Sequence, residues 1–189
     1  MGLEVQNYPD GLHFGQRELS AYQKGVGAVK IPGQSAVYGD ISLMTILDEL
    51  TAPSIFIGGP ESGVKRNVEG RWGTAPKVGD LFCIGGATTG QSCNWKIQDI
   101  SDRYRNSAGG LYTSVTRGYR YNRCADRGDS GGPVFTIRPE TGNVVAKGVI
   151  SGGSIDLATK RPPTNDCLIW FTDIRNVVKA FGGDITKRN

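Results

Sequence analysis

The run Gly128-Asp129-Ser130-Gly131-Gly132-Pro133 is the most informative stretch of this sequence. A serine hydroxyl is a weak nucleophile, so acyl transfer requires a neighbouring base, a group that orients the base, and donors aimed at the developing oxyanion. Glycines beside a serine serve the last requirement, because they adopt unusual dihedral angles and allow a substrate to approach closely. The run predicts a nucleophilic Ser130 and an oxyanion hole made by the N–H groups of Gly128 and Ser130. A glycine-rich turn with one serine is also a common structural turn, so this interpretation needs support from the rest of the chain.

The composition around this run indicates a β-rich protein. The chain has 189 residues, of which 38% are hydrophobic and 21% charged, which allows a sizeable core. Its 28 glycines are about twice the usual share, and pairs of them separate short β-branched or aromatic runs, as in sandwiches and barrels. Only Thr172 to Phe181 has a convincing helical period, with Gly182 as a stop. We expect an all-β fold with a C-terminal helix, and no apolar stretch approaches the ~20 residues of a membrane span.

Charge and cysteine content restrict the partners and the compartment. The net charge is +4, and the basic residues concentrate at 103–105 and 117–123. Because no nucleic-acid-binding module surrounds them, we interpret them as a solvated basic face. The four cysteines include no C-x-x-C pair, and an even count without metal-ligand spacing favours disulfides and an oxidising compartment. We expect a secreted, extracellular protein, although residues 1 to 30 lack the apolar core of a signal peptide.

Residues Gly128 to Val134 are similar at every position to the nucleophile motif of the chymotrypsin-like (S1) serine peptidases. Within that family the chain most resembles the secreted bacterial streptogrisin and α-lytic branch. Residues 83–93 resemble its disulfide loop around a Thr-Thr-Gly turn, Cys124 precedes Ser130 by six residues as in those enzymes, and residues 148–153 resemble the strand that pairs with the substrate backbone. These motifs occur in family order and extend over most of the chain.

The resemblance implies a fold and a disulfide pattern. The fold is two six-stranded antiparallel Greek-key barrels followed by a C-terminal helix, with residues 1–70 in the first barrel and residues 71–189 in the second. The implied disulfides are Cys83–Cys93 and Cys124–Cys167. No metal ion and no cofactor is implied.

The resemblance also implies a catalytic triad of His13, Asp40 and Ser130. Asp40 precedes an apolar run, similar to the family aspartate that holds the imidazole in one tautomer. His13 is the only histidine, and its order and spacing relative to Asp40 and Ser130 fit a general acid and base. Its neighbours match the family's Ala-Gly-His-Cys only in part, because Phe14 replaces the cysteine, and a lone histidine is also often a surface or capping residue.

Two departures from the family pattern favour an alternative. Only twelve residues precede His13, so the first barrel is truncated or rebuilt relative to the family. Ile84 stands where the bacterial enzymes have an arginine that pairs with the aspartate before the nucleophile, so Asp129 needs another partner, for which Arg127 and Arg123 are candidates. The alternative is a catalytically impaired homologue that acts as a protein-binding module.

Specificity can also be predicted from the resemblance. Ala125 and Ile150 match positions that line the primary pocket, and the backbone wall of that pocket is expected from Ser151, Gly152 and Gly153. Small and apolar linings predict cleavage after Leu, Phe or Tyr, unless Asp126 points inward and accepts a cation. The expected partner is a protein or peptide substrate, with no nucleic acid and no membrane, and we expect a monomer.

Overall fold

The structure, a computed structural model, describes residues 3–6, 13–20, 39–45, 52–105, 111–156, 159, 162–181 and 183–186, with the main chain alone at 3–6, 13–20, 42–45, 180 and 181. These residues form a mostly β protein with a short C-terminal helix, as predicted. The elements in chain order are β1 (Leu3–Gln6), β2 (His13–Ser20), β3 (Ser42–Thr45), β4 (Ser54–Phe56), β5 (Lys65–Arg71), β6 (Leu81–Gly86), β7 (Gly90–Arg105), β8 (Leu111–Arg120), β9 (Pro133–Ile137), β10 (Val144–Gly153), β11 (Cys167–Asp173) and α1 (Ile174–Phe181).

The N-terminal part of the described chain is a three-stranded antiparallel sheet in the order β1-β2-β3. His13 opens β2 and pairs with Gln6 of β1, and Leu19 and Ser20 at the other end of β2 pair with β3. Six strands are predicted for the first barrel, at residues 1–70; of the five strands described there, three form this sheet, and β4 and β5 join the C-terminal sheet. The predicted boundary at residue 70 stays a prediction.

The C-terminal part is a closed barrel. Its strands are neighbours in the order β11-β8-β7-β6-β9-β10, and β10 pairs back with β11, so six antiparallel strands complete a ring. Closure leaves no unpaired edge among these strands. The predicted six-stranded second barrel is therefore confirmed.

Large apolar side chains fill the interior of this barrel. Phe82 is almost completely buried, and its ring centroid lies 6.3 Å from that of Trp95 and 5.1 Å from that of Phe171. Ile84, Val134 and Ile169 are completely buried beside these rings. Each such side chain stabilises the fold by about 1.5–3 kcal/mol through burial alone. The turn before β9, which carries Ser130, is therefore attached to a rigid support.

Two short strands extend the sheet beyond the barrel. β5 pairs in parallel with β10, and β4 pairs antiparallel with β5. This arrangement brings residues 55–63 beside the end of β6, where they form one wall of a cavity near Ser130.

The C-terminal helix begins two residues later than predicted. Thr172 and Asp173 continue β11, and α1 begins at Ile174. The Asp173 carboxylate accepts a hydrogen bond from the N–H of Arg175 at 2.9 Å, so Asp173 caps the helix. No helix among the described residues has the length and apolarity needed to cross a membrane.

Candidate active site

The turn that carries Ser130 is held against β10 by main-chain hydrogen bonds. The N–H of Gly131 donates to the carbonyl of Ile150 at 2.8 Å, and the N–H of Ile150 donates to the carbonyl of Gly132 at 2.9 Å. The Cys124–Cys167 disulfide connects the chain just before this turn to the start of β11. Both predicted disulfides are present, and the second is Cys83–Cys93 between β6 and β7. The turn that carries Ser130 is therefore fixed to the barrel by its hydrogen bonds to β10 and by the disulfide to β11.

The backbone of Gly128, in the predicted oxyanion hole, has a conformation that favours glycine. Its φ of +97° lies in the left-handed region that favours glycine, and a Cβ at this position would lie 2.6 Å from the Thr88 hydroxyl oxygen. Gly128 and Ser130 are exposed, and neither N–H donates to an acceptor within the part of the chain that the structure describes. These two N–H groups are therefore open to a ligand oxygen.

The carboxylate of Asp129, next to Ser130, is buried and fully hydrogen-bonded. Its Oδ1 accepts the N–H groups of Thr88 at 2.9 Å and Thr89 at 3.0 Å. Its Oδ2 accepts the hydroxyl of Thr89 at 2.7 Å and the N–H of Asp126 at 2.8 Å. Asp129 is 1% exposed, so these four bonds replace the water that the carboxylate loses on folding.

The ionic partner predicted for Asp129 is wrong. The ion pairs formed by the described residues do not include Asp129. The main-chain N–H of Arg127 donates to the Asp126 carboxylate at 2.6 Å. Ile84 is 0% exposed in the barrel core, so the position where the family arginine was expected is filled by a hydrocarbon.

Asp40 is attached to the second barrel through Thr172. The Asp40 N–H donates to the Thr172 hydroxyl oxygen at 2.9 Å, and that hydroxyl donates to the Asp40 carbonyl at 3.1 Å. The hydroxyl of Ser151 lies 3.3 Å from that of Thr172. Burial raises the pKa of the Asp40 carboxyl from 3.8 to about 6. Asp40 thus lies beside the end of β10, and its role in the triad stays a prediction.

Tyr104 covers the same end of β10. Its hydroxyl donates to the Ser151 carbonyl at 2.9 Å, and its ring stacks between those of Tyr112 and Trp170, each 4.9 Å away. Burial, followed by the charges of Asp40 and Tyr112, raises the pKa of Tyr104, so its hydroxyl remains a donor. Sequence analysis did not identify this residue, because an aromatic in a polar strand gave no signal of its own.

A cavity of about 730 Å³, called here the primary cavity, is lined by all the predicted pocket residues. It is lined by Ser130, by Ala125 and Ile150, and by the main chain at 151–153, which is the arrangement that the resemblance implied. Ala125 and Ile150 are buried, whereas Asp126 is exposed and its carboxylate accepts the N–H of the next residue. The charged residues Arg105, Asp126 and Arg127 also line the cavity, so its small, apolar part is the wall formed by Ala125 and Ile150.

A second cavity, of about 660 Å³, also borders Ser130. Gly128 contributes to it, together with the end of β6 and the segment from Ile55 to Gly63. Ser130 is the residue that lines both cavities.

The main chain of His13 opens β2, and its imidazole lies outside the described part of the chain. The convergence of His13 with Asp40 and Ser130 therefore stays a prediction.

Comparison with known proteins gives matches in structure alone. No family model matches the chain, and no curated protein matches it in sequence. The chain is similar to the crystal structure of a chymotrypsin from Cellulomonas bogoriensis, with 25% identity and a TM-score of 0.59 over 82% of this chain and 74% of that one. It is also similar to a glutamic acid specific serine protease described as using a histidine triad in substrate binding, with 18% identity and a TM-score of 0.65 over 95% of this chain and 77% of that one.

Proposed function

We propose that this chain is a member of the chymotrypsin-like (S1) serine protease family and a working endopeptidase with Ser130, His13 and Asp40 as its triad. The observation that carries the proposal is the position of Ser130 in the lining of two cavities and beside two N–H groups with no acceptor in the described chain. A serine in an ordinary structural turn would need neither feature.

The reaction follows from these groups. The Ser130 hydroxyl oxygen attacks the carbonyl carbon of the scissile bond while His13 takes the hydroxyl proton. The carbonyl oxygen becomes an oxyanion, which accepts hydrogen bonds from the N–H groups of Gly128 and Ser130. His13 then gives its proton to the leaving amine as the C–N bond breaks, and water releases the acyl group from Ser130 by the same steps in reverse.

Asp40 orients His13 and stabilises the imidazolium that forms during attack. Two features support this role. The main chain of Asp40 is fixed by Thr172, and its carboxyl is close enough to Tyr104 to influence the pKa of that residue. A partly buried carboxylate interacts more strongly with a nearby cation than one in water.

We propose a preference for Leu, Phe or Tyr on the acyl side of the cleaved bond. Ala125, Ile150 and the main chain at Gly152 and Gly153 give the cavity apolar walls, and the Asp126 carboxylate is engaged by its own loop. Histidines cannot line this pocket as a triad, as they do in the glutamate-specific structural neighbour, because the chain has a single histidine. Cleavage of a peptide library chiefly after Lys, Arg or Glu would contradict this preference.

The substrate class is a protein or peptide, and the proposed location is outside the cell. The two disulfides support that location, since such bonds persist in oxidising compartments.

Labelling by an active-site phosphonate tests the proposal. These reagents react quickly only with an activated serine, so we expect the wild-type protein to be labelled at Ser130. Ser130→Ala should abolish labelling and hydrolysis, and His13→Ala should lower both rates by about 10⁴- to 10⁶-fold. Asp40→Asn should leave more activity than His13→Ala.

The matched control is Asp99→Asn. Asp99 also accepts a main-chain hydrogen bond, from the N–H of Ser101 at 2.9 Å, but it lines neither cavity. This variant should be labelled at the wild-type rate. A folded wild type with both disulfides and no labelling would overturn the proposal in favour of a binding module, and equal labelling of wild type and His13→Ala would remove His13 from the triad.

A further inference from the structure

We propose that the threonine turn, Thr88-Thr89, positions the oxyanion hole through hydrogen bonds from uncharged donors, in place of an ion pair. The proposal rests on the proposed function, because it assigns a role in that reaction to residues outside the triad. The segment that is positioned is residues 126–131, called here the oxyanion loop. Thr88 and Thr89 each hold a different part of this loop.

Thr89 holds the loop through the carboxylate of Asp129. Its hydroxyl and its N–H donate to the two carboxylate oxygens at 2.7 and 3.0 Å, and the N–H of Thr88 adds a third bond at 2.9 Å. The fourth donor, the N–H of Asp126, belongs to the oxyanion loop itself. The carboxylate therefore connects the start of the loop, the residue before Ser130 and the threonine turn.

Thr88 fixes the direction of one peptide group. Its hydroxyl donates to the carbonyl oxygen of Arg127 at 2.6 Å. That carbonyl belongs to the same peptide group as the N–H of Gly128, and in a planar trans peptide the two bonds point in opposite directions. Because the carbonyl is held on Thr88, the Gly128 N–H is directed to the opposite side, where the oxyanion would form.

The end of β6 is shaped to receive the Asp129 carboxylate. A Cβ on Gly86 would lie 2.1 Å from the Asp129 Oδ1 atom, so the carboxylate packs directly against bare main chain. With Ile84 buried in the barrel core, the Asp129 carboxylate is held by one hydroxyl and three main-chain N–H groups, and no ion pair of the described residues includes it. The position of the carboxylate therefore depends on the threonine turn.

This arrangement predicts a defect in the chemical step of the reaction. The predicted pocket residues Ala125, Ile150 and 151–153 form no hydrogen bond described above with the threonine turn, although Asp126, Arg127 and Asp129 of the oxyanion loop also line the primary cavity. Loosening the turn should therefore weaken oxyanion stabilisation more than substrate binding. An interaction made only in the transition state lowers kcat and kcat/KM equally.

The experiment compares Thr88→Val and Thr89→Val with wild type. Valine keeps the shape and removes the hydroxyl, so each variant should lower kcat about ten- to a hundredfold, the value of one hydrogen bond to a charged or oxyanion-forming group, with KM little changed. Thr88→Ser and Thr89→Ser should restore most of kcat. The control is Thr141→Val, since the Thr141 hydroxyl also donates to a carboxylate, that of Glu69 at 3.0 Å, and lies in neither cavity.

Amide hydrogen exchange provides a readout that does not depend on activity. Thr89→Val should speed exchange at the N–H of Asp126, which shares the Asp129 Oδ2 atom with the Thr89 hydroxyl. An inactive wild type would overturn the proposed function, yet faster exchange at Asp126 would still support the positioning role. Unchanged kcat together with unchanged exchange at Asp126 would overturn the positioning role alone, as would a loss confined to KM.

Discussion

The hydroxyl of Thr172 is hydrogen-bonded to both polar main-chain groups of Asp40, at 2.9 Å from the nitrogen and 3.1 Å from the carbonyl oxygen. Thr172 is completely buried, and its hydroxyl also lies 3.3 Å from that of Ser151. One hydroxyl therefore connects the segment that carries Asp40 to β11 and to the end of β10. The position of Asp40 relative to Ser130 depends on this contact.

Thr172→Val is expected to weaken both stability and catalysis. The substitution leaves the Asp40 N–H and carbonyl without their partner, so the free energy of unfolding in urea should fall by about 1–3 kcal/mol. Because Asp40 loses its fixed position, kcat/KM should fall as well. Thr172→Ser keeps the hydroxyl and should restore kcat/KM, and an unchanged kcat/KM in a folded Thr172→Val protein would contradict the role given to this contact.

The raised pKa of Asp40 predicts a pH dependence with a definite sign. Its pKa is about 6 in the folded protein and 3.8 for the ordinary carboxyl, so between these values the folded state binds the proton more tightly. The contribution of Asp40 to stability is therefore most favourable below pH 3.8 and is lost as the pH rises through about 6. Asp40→Asn removes this titration.

The measurement is the unfolding free energy of wild type minus that of Asp40→Asn between pH 3 and 8. We expect the difference to fall with rising pH and to level above about 6. Wild-type kcat/KM should rise over the same interval, because the carboxylate is the form that stabilises the imidazolium of His13. A difference that rises with pH would show that a cation lowers the pKa of Asp40 in the folded protein.

The parts of the site that sequence predicted are those with local signatures. The glycine positions around Ser130 identify the turn by residue type, and the cysteines identify both disulfides. Ala125, Ile150 and residues 151–153 were expected at one cavity and line it. The disulfide pairs and the cavity residues followed from the resemblance to the chymotrypsin-like peptidases, whose motifs can be recognised in short stretches of sequence.

The parts that sequence missed depend on main-chain groups brought together over long separations. Three of the four donors to Asp129 are main-chain N–H groups, which every residue except proline carries. The sequence therefore shows that Ile84 stands where the family has an arginine, but it does not show which groups bind Asp129. The sequence places Thr172 in the helix, because the helical period of Ile174, Val177, Val178 and Phe181 does not mark where the preceding strand ends. The contact of Thr172 with Asp40 joins two residues that are 132 positions apart in the sequence.

The two disulfides are expected to stabilise the fold to different extents. They close loops of 10 and 43 residues, and the chain-entropy model gives about 3 kcal/mol for Cys83–Cys93 and about 4 kcal/mol for Cys124–Cys167. Replacing each pair by alanines and measuring urea unfolding should show the larger loss for Cys124–Cys167. That variant should also lose more activity, since Ala125 follows Cys124 at the cavity wall, and a larger loss of activity from the other pair would contradict this account.

Gly153→Ala is expected to change specificity without disturbing the fold. No positive φ is required at Gly153, and a Cβ there would lie 3.4 Å from the Leu168 carbonyl oxygen and 3.9 Å from the Cβ of Ala125, both ordinary contacts. Since Gly153 and Ala125 both line the primary cavity, the added methyl group narrows the space for the side chain on the acyl side of the cleaved bond. One methylene in such a pocket changes kcat/KM by about 10- to 200-fold, so kcat/KM should fall by that factor for substrates with Phe or Tyr and change little for substrates with Ala.

The control is Gly73→Ala, where a Cβ meets no atom within 4 Å and no cavity residue is involved. An equal loss for large and small side chains would mean that the methyl group disturbs the strand and not the pocket, and an unchanged preference would place the substrate side chain elsewhere.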